Sequence, residues 1–143
     1  MPLIVNTPRR RWLQHLALGA LAVAGLSACS PTPPADWQVS LDEARQILEA
    51  KQAVVFDIRE PKEHATGVAA GMQLLPMSQL EKRVSEIPKD PAQPVLIICN
   101  TQNRSSKVVE ALREAGWTNV RYVHGGMSGW ADKGWPMFKP MGQ

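Results

Sequence analysis

The chain has 143 residues, 44% of them hydrophobic and 20% charged. That allows one compact domain with a sizeable core, leaves no room for a second, and excludes disorder throughout. The formal charge of +3 belongs entirely to Arg9, Arg10 and Arg11, since basic and acidic side chains balance beyond residue 28. It is therefore no sign of nucleic-acid binding, which needs a basic face on the folded domain.

The run Leu13 to Leu26 is uncharged and spans 14 residues, short of the roughly 20 that a membrane span needs. Its length and its arginine flank predict a secretory signal segment over residues 1–28. The segment ends Leu26-Ser27-Ala28-Cys29, which resembles a bacterial lipobox. The resemblance implies cleavage before Cys29 and di- or triacylation of that residue; the alternative is an ordinary cleaved signal followed by a chance Cys. Arg9-Arg10-Arg11-Trp12-Leu13 also resembles a twin-arginine export signal. Ser30 after the Cys is a feature that goes mostly with the outer membrane in lipoprotein families. Residues 29–36 are rich in Pro and read as an extended tether. The expectation is a domain over residues 37–140, held in the bacterial cell envelope by lipid on Cys29 and facing the periplasm. If Cys29 is acylated, Cys99 is the only free thiol of an exported chain, a liability unless it is buried or used.

Ser40 to Ala50 predicts a helix: Ser40 and Glu43 have capping-box spacing, and Leu41, Ala44, Ile47 and Leu48 share one face. Ala53 to Phe56 reads as a buried strand, and Leu74-Leu75 as a short one. Ser78 to Val84 predicts a second helix, with Ser78 and Glu81 as its capping box. Pro88 to Pro94 holds three Pro and is a loop. Val95 to Ile98 is a continuous apolar strand. Ser105 to Ala115 is a helix stopped by Gly116. Val120 to Val123 is a strand, and Met127 to Lys133 a short last helix. Such alternation predicts an α/β domain with a mainly parallel central sheet flanked by helices on both faces. In such sheets ligands sit beyond the carboxyl ends of the strands. Asp57 to Arg59, Cys99 to Arg104, and Gly125-Gly126 all follow strands and should converge there.

Cys99 lies between a strand end and a helix start. Loop N–H groups, the helix N-terminus and Arg104 would together favour a thiolate suited to nucleophilic attack. The bland alternative is a small apolar residue at the end of a buried strand.

Cys99-Asn100-Thr101-Gln102-Asn103-Arg104-Ser105 resembles the active-site loop of single-domain rhodaneses. Asp57-Ile58-Arg59-Glu60-Pro61, with Glu63 and Gly67, resembles their upstream signature. Gly125-Gly126-Met127-Ser128-Gly129-Trp130 and Gly134-Trp135-Pro136 resemble their C-terminal one. The resemblance spans about Val39 to Pro136. It implies a rhodanese-like fold and a sulfurtransferase in which Cys99 carries a persulfide sulfur. The sulfur would pass from an anionic donor such as thiosulfate to a thiophilic acceptor, cyanide or a thiol. Asn100, Thr101, Gln102, Asn103, Arg104, Ser105 and Arg59 are then the candidate substrate contacts, with Asp57, Gly125 and Gly126 as structural support. Each also has a plainer role open to it. Arg104 could pair with a nearby carboxylate, Ser105 could cap its helix, and Asp57 with Arg59 could form an ion pair. Trp130 and Trp135 are read as core, and His64 and His124 have no partner pattern. No metal, cofactor or nucleic acid is expected, and the domain is expected to be a monomer.

Two positions depart from the family pattern. Val68 replaces the His of its Gly-His-Ile-Pro. Gln102 stands where it usually has Gly. If that position needs positive φ, Gln is strained by about 1 kcal/mol or more, and Gln102→Gly should speed turnover. Two other functions compete. Phosphatase or arsenate-reductase relatives also use Cys then Arg, but with five intervening residues, against four here. The other is a lipid-anchored thiol-sensing or binding module with little turnover.

Overall fold

A computed structural model describes residues 33–141. The expected signal segment, Cys29 and the first part of the tether lie outside the described residues. After a 3₁₀ turn at Ala35–Trp37, strands and helices alternate. The order is β1 Gln38–Val39, α1 Leu41–Glu49, β2 Val54–Asp57, α2 Pro61–His64, β3 Gln73–Leu74 and α3 Met77–Arg83. Then come β4 Val95–Ile98, α4 Asn103–Glu114, β5 Val120–Val123 and α5 Gly126–Asp132. The five strands form one sheet in the order β1-β5-β4-β2-β3, and every pairing is parallel. The α/β class and parallel sheet are as the alternation of segments predicts.

The central strand explains why the sheet needs cover on both faces. All four residues of β4, Val95 to Ile98, are fully buried. Successive side chains on a strand point to opposite faces. Val95, Ile97 and Cys99 accordingly pack with Val108, Val109 and Leu112 of α4, joined by Leu80 of α3. Leu96 and Ile98 pack on the other side with Ala44 of α1 and with Met127 and Trp130 of α5. The same alternation carries the Cys99 side chain onto the α4 face.

The start of α3 and the presence of α2 differ from expectation. Ser40 caps α1 as expected, its Oγ accepting from the Glu43 N–H at 3.2 Å. Ser78 caps nothing: α3 begins one residue earlier, behind Pro76, and Ser78 donates from both N–H and Oγ to the Glu60 carboxylate, at 2.9 and 2.8 Å. A carboxylate 18 residues upstream outcompetes the local box. Helix α2 has no counterpart among the expected elements. It is one turn, with Pro61 as its first residue and the Glu60 N–H donating to Glu63 Oε2 at 2.9 Å.

The order of the strands places the site. The chain leaves β2 toward β3 on one side and leaves β4 toward β5 on the other. The connections therefore diverge between β2 and β4, and a crevice opens where their carboxyl ends meet. Asp57 to Arg59 and Cys99 to Arg104 are the two segments at that point.

Candidate active site

Cys99 is the first residue beyond β4 and is 1% exposed. Its Sγ accepts the Ser105 N–H at 3.4 Å, and the Ser105 Oγ lies 3.4 Å from the sulfur. The Ser105 hydroxyl donates to the Gln102 carbonyl at 3.2 Å, which leaves its oxygen free to accept from a thiol. A rotation about its C–O bond would let it donate to a sulfur that has lost its proton.

The carbonyls of the loop are spoken for from the other side. The Met127 N–H donates to the Cys99 carbonyl and the Ser128 N–H to the Asn100 carbonyl, each at 2.8 Å. In a trans peptide the next N–H points opposite to the carbonyl, and the described residues contain no cis bond. The N–H groups of Asn100 and Thr101 therefore turn away from α5. Among the described residues, those of Asn100 to Arg104 find no protein acceptor. A run of free N–H groups at the start of a 12-residue helix is a concave field of partial positive charge, fitted to an anionic group on sulfur.

Glycine is required where α5 meets this loop. A Cβ on Gly126 would lie 2.2 Å from the Thr101 carbonyl oxygen and 2.5 Å from that of Asn100, and its φ is +61°. The two backbones touch because no side chain separates them.

Arg104 is one-third exposed and paired with Glu63, its Nη1 donating to Oε2 at 2.7 Å and its Nη2 to Oε1 at 2.5 Å. The hydrogen bonds from Arg104 are the main cause that lowers the Glu63 pKa from 4.5 to about 2. The same bonds raise the Arg104 pKa, with smaller contributions from Cys99 and Glu60. The carboxylate partner thus exists, and the arginine also lies within the field of the sulfur.

Asp57 and Arg59 are two residues apart on an extended segment, so their side chains share a side. Both are buried. Arg59 Nε donates to both Asp57 carboxylate oxygens at 3.1 and 3.0 Å, and Nη2 donates to Oδ2 at 2.7 Å. Arg59 also donates to the carbonyls of Gly67 at 2.7 Å and Glu63 at 3.3 Å. The expectation that Arg59 touches substrate is corrected here: at 2% exposure, with its guanidinium spent on four internal oxygens, it braces the segment that carries α2. Asp57 is the other half of that buried ion pair. Removing either would strand the other charge inside the domain, at a cost of about 3–5 kcal/mol.

Gln102 also differs from expectation. Its φ is −153°, so no left-handed strain is present, and the reason for a faster Gly variant disappears. Its side chain is in use, Oε1 accepting the Gly125 N–H at 3.3 Å. The side chains of Asn100, Thr101 and Asn103 are exposed at the rim. Gly125, at φ +87°, precedes α5 and helps turn its N-terminus onto the loop.

Sequence reasoning did not identify Glu63 as the partner of Arg104, nor foresee that His64 is buried. His64 is fully buried, Nε2 lies 3.5 Å from Asp57 Oδ1, and neither ring nitrogen has a hydrogen-bond partner. The signal for Glu63 was present in its place within Asp57-Ile58-Arg59-Glu60-Pro61-Lys62-Glu63. His64 gave none, since a buried histidine has no periodicity of its own.

The model of the rhodanese-like domain family matches residues 40–133. The chain belongs to the rhodanese-like domain family. Among its relatives is a protein of Allochromatium vinosum named sulfurtransferase, 33% identical over 99 residues, 69% of this chain and 91% of that one. A human protein named thiosulfate:glutathione sulfurtransferase is 28% identical, over 66% of this chain and 93% of its own length. Among solved structures, a rhodanese-related protein of Thermoplasma volcanium superposes with a TM-score of 0.64 at 28% identity, over 72% of this chain and 98% of that one.

Proposed function

We propose that the protein is a sulfurtransferase that moves sulfane sulfur through a persulfide on Cys99. The observation that supports it most is the sulfur at the floor of a loop whose N–H groups are free and whose carbonyls are held elsewhere. The Cys99 thiolate attacks the outer sulfur of thiosulfate. A new S–S bond forms to Cys99, the old one breaks, and sulfite leaves with its electron pair. The anionic terminal sulfur sits among the N–H groups of residues 100–105, with Arg104 at the rim. Cyanide or a thiolate then attacks that sulfur and returns the Cys99 thiolate. Four residues between Cys99 and Arg104 suit a sulfur atom better than a tetrahedral phosphate. The names of the Allochromatium and human relatives agree with this reading. The proposal extends to a monomeric domain tethered by lipid on Cys29 at the periplasmic face of the outer membrane, on the strength of the lipobox-like Leu26 to Cys29.

The test is steady-state turnover of thiosulfate with cyanide, beside Cys99→Ser. Wild-type protein should yield thiocyanate and take up one sulfur atom on Cys99, read by mass spectrometry; the variant should do neither, a loss of at least about a thousandfold. Equal rates would remove the function. The 1% exposure of Cys99 favours a second reading, a thiol-sensing or binding module with little turnover. Stable sulfur loading without release to any acceptor would select it.

A further inference from the structure

The loop that carries Cys99 is tied at three points to the first residues of α5 and the turn before them. Two ties are backbone bonds, from Met127 and Ser128 to the carbonyls of Cys99 and Asn100. The third is a side chain: Gln102 Oε1 accepts the Gly125 N–H. Gln102 is also joined in the other direction. Its carbonyl accepts from the Ser105 hydroxyl at 3.2 Å and from the Ser106 N–H at 2.8 Å, and Ser105 touches the sulfur. One half-buried residue thus links the turn before α5 to the serine on Sγ. It sits where the loop ends and α4 begins, so rotation there would redirect the first N–H groups of the helix.

We propose that Gln102 is a positioning residue, its side-chain amide latching the Cys99 loop to the Gly125 turn and thereby fixing Ser105 and the free N–H groups relative to the sulfur. It acts through those groups and makes no contact with the donor. The inference rests on the sulfurtransferase reading for its effect on turnover, though not for the latch itself. A substrate contact at Gln102 would chiefly set KM. A latch would set how well the N–H groups meet the charge that develops on sulfur, and so chiefly kcat.

The experiment uses Gln102→Leu, which keeps bulk without the acceptor, and Gln102→Glu, which keeps an acceptor. Two quantities are read: amide exchange at Gly125 by NMR, and kcat and KM for thiosulfate. The Leu variant should exchange Gly125 several-fold faster and lose about three- to tenfold in kcat, the scale of one neutral hydrogen bond, with KM within about twofold. The Glu variant should regain Gly125 protection and most of kcat. Unchanged exchange in the Leu variant overturns the latch. Faster exchange with unchanged kcat overturns its positioning role, and a raised KM at constant kcat makes Gln102 a substrate contact instead. If wild-type protein turns over no thiosulfate, it is the sulfurtransferase reading that fails. The latch is then decided by Gly125 exchange together with the iodoacetamide rate at Cys99. That rate must shift several-fold in the Leu variant and return in the Glu variant, and equal rates overturn it.

Discussion

Gly126 and His64 show two opposite ways in which one residue can matter to this site. Gly126 matters for the side chain it lacks. Alanine there would drive a Cβ into the carbonyls of Asn100 and Thr101 and occupy a left-handed φ. Backbone strain of this kind costs about 1–3 kcal/mol before any clash is counted. Gly126→Ala should therefore lower the unfolding free energy measured in urea by at least that amount and abolish sulfur loading of Cys99, because relief requires the loop to move. Retained loading at unchanged stability would mean that the two backbones separate at no cost. His64 matters for atoms it does have. Two ring nitrogens are buried without partners, beside an Asp57 carboxylate already bonded to Arg59. His64→Leu keeps a similar volume and removes that unpaired polarity, so it should raise unfolding free energy by about 1 kcal/mol. A loss of that size, measured by chemical denaturation at pH 7, would show instead that the 3.5 Å contact with Asp57 is a favourable one.

At the scale of elements, α2 is one turn long and has no stability of its own. It is held by Arg59 reaching the Glu63 and Gly67 carbonyls and by the Arg104 pair, which ties it to α4. The sign of the acid response follows from Glu63. Its folded pKa, about 2, lies below its ordinary 4.5. A depressed carboxylate pKa contributes stability that is complete above the unfolded value and is lost as pH falls toward the folded one. The contribution should fade between pH 4.5 and about 2. Both partners are one-third exposed, so solvent screens it and its size is modest. Wild-type protein should lose stability more steeply than Glu63→Gln across that window, in urea titrations at half-unit pH steps. Parallel curves would show that the pair adds nothing to the fold.

At the scale of the whole molecule, what could be read from the sequence divides along a physical line. Continuous apolar runs are legible because parallel strands are covered on both faces, and Val95 to Ile98 and Val120 to Val123 fall where they were read. Amphipathic helices are legible from their spacing, and a cap works when its partner is local, as at Ser40. The three segments at the strand ends were placed on one edge by the same topology. What was hidden depends on partners distant in the chain. Ser78 answers to Glu60, Glu63 is claimed by Arg104 across 41 residues, and the guanidinium of the buried Arg59 is met by the carbonyl of Gly67 eight residues on. Backbone conformation was hidden too: the φ of Gln102 is −153°, and residue type alone does not reveal it.

The order of the strands has one more effect. The four-residue strands β5, β4 and β2 lie inside the sheet, and its two margins are β1 and β3, two residues each. A sheet margin is a row of unmet N–H and carbonyl groups, onto which a foreign strand can build. Here such a strand would find about two residues of template before the chain bends away. If many copies are crowded together, their most β-prone segments remain shielded by their own neighbours, and edge-to-edge growth into aggregates has little to start from.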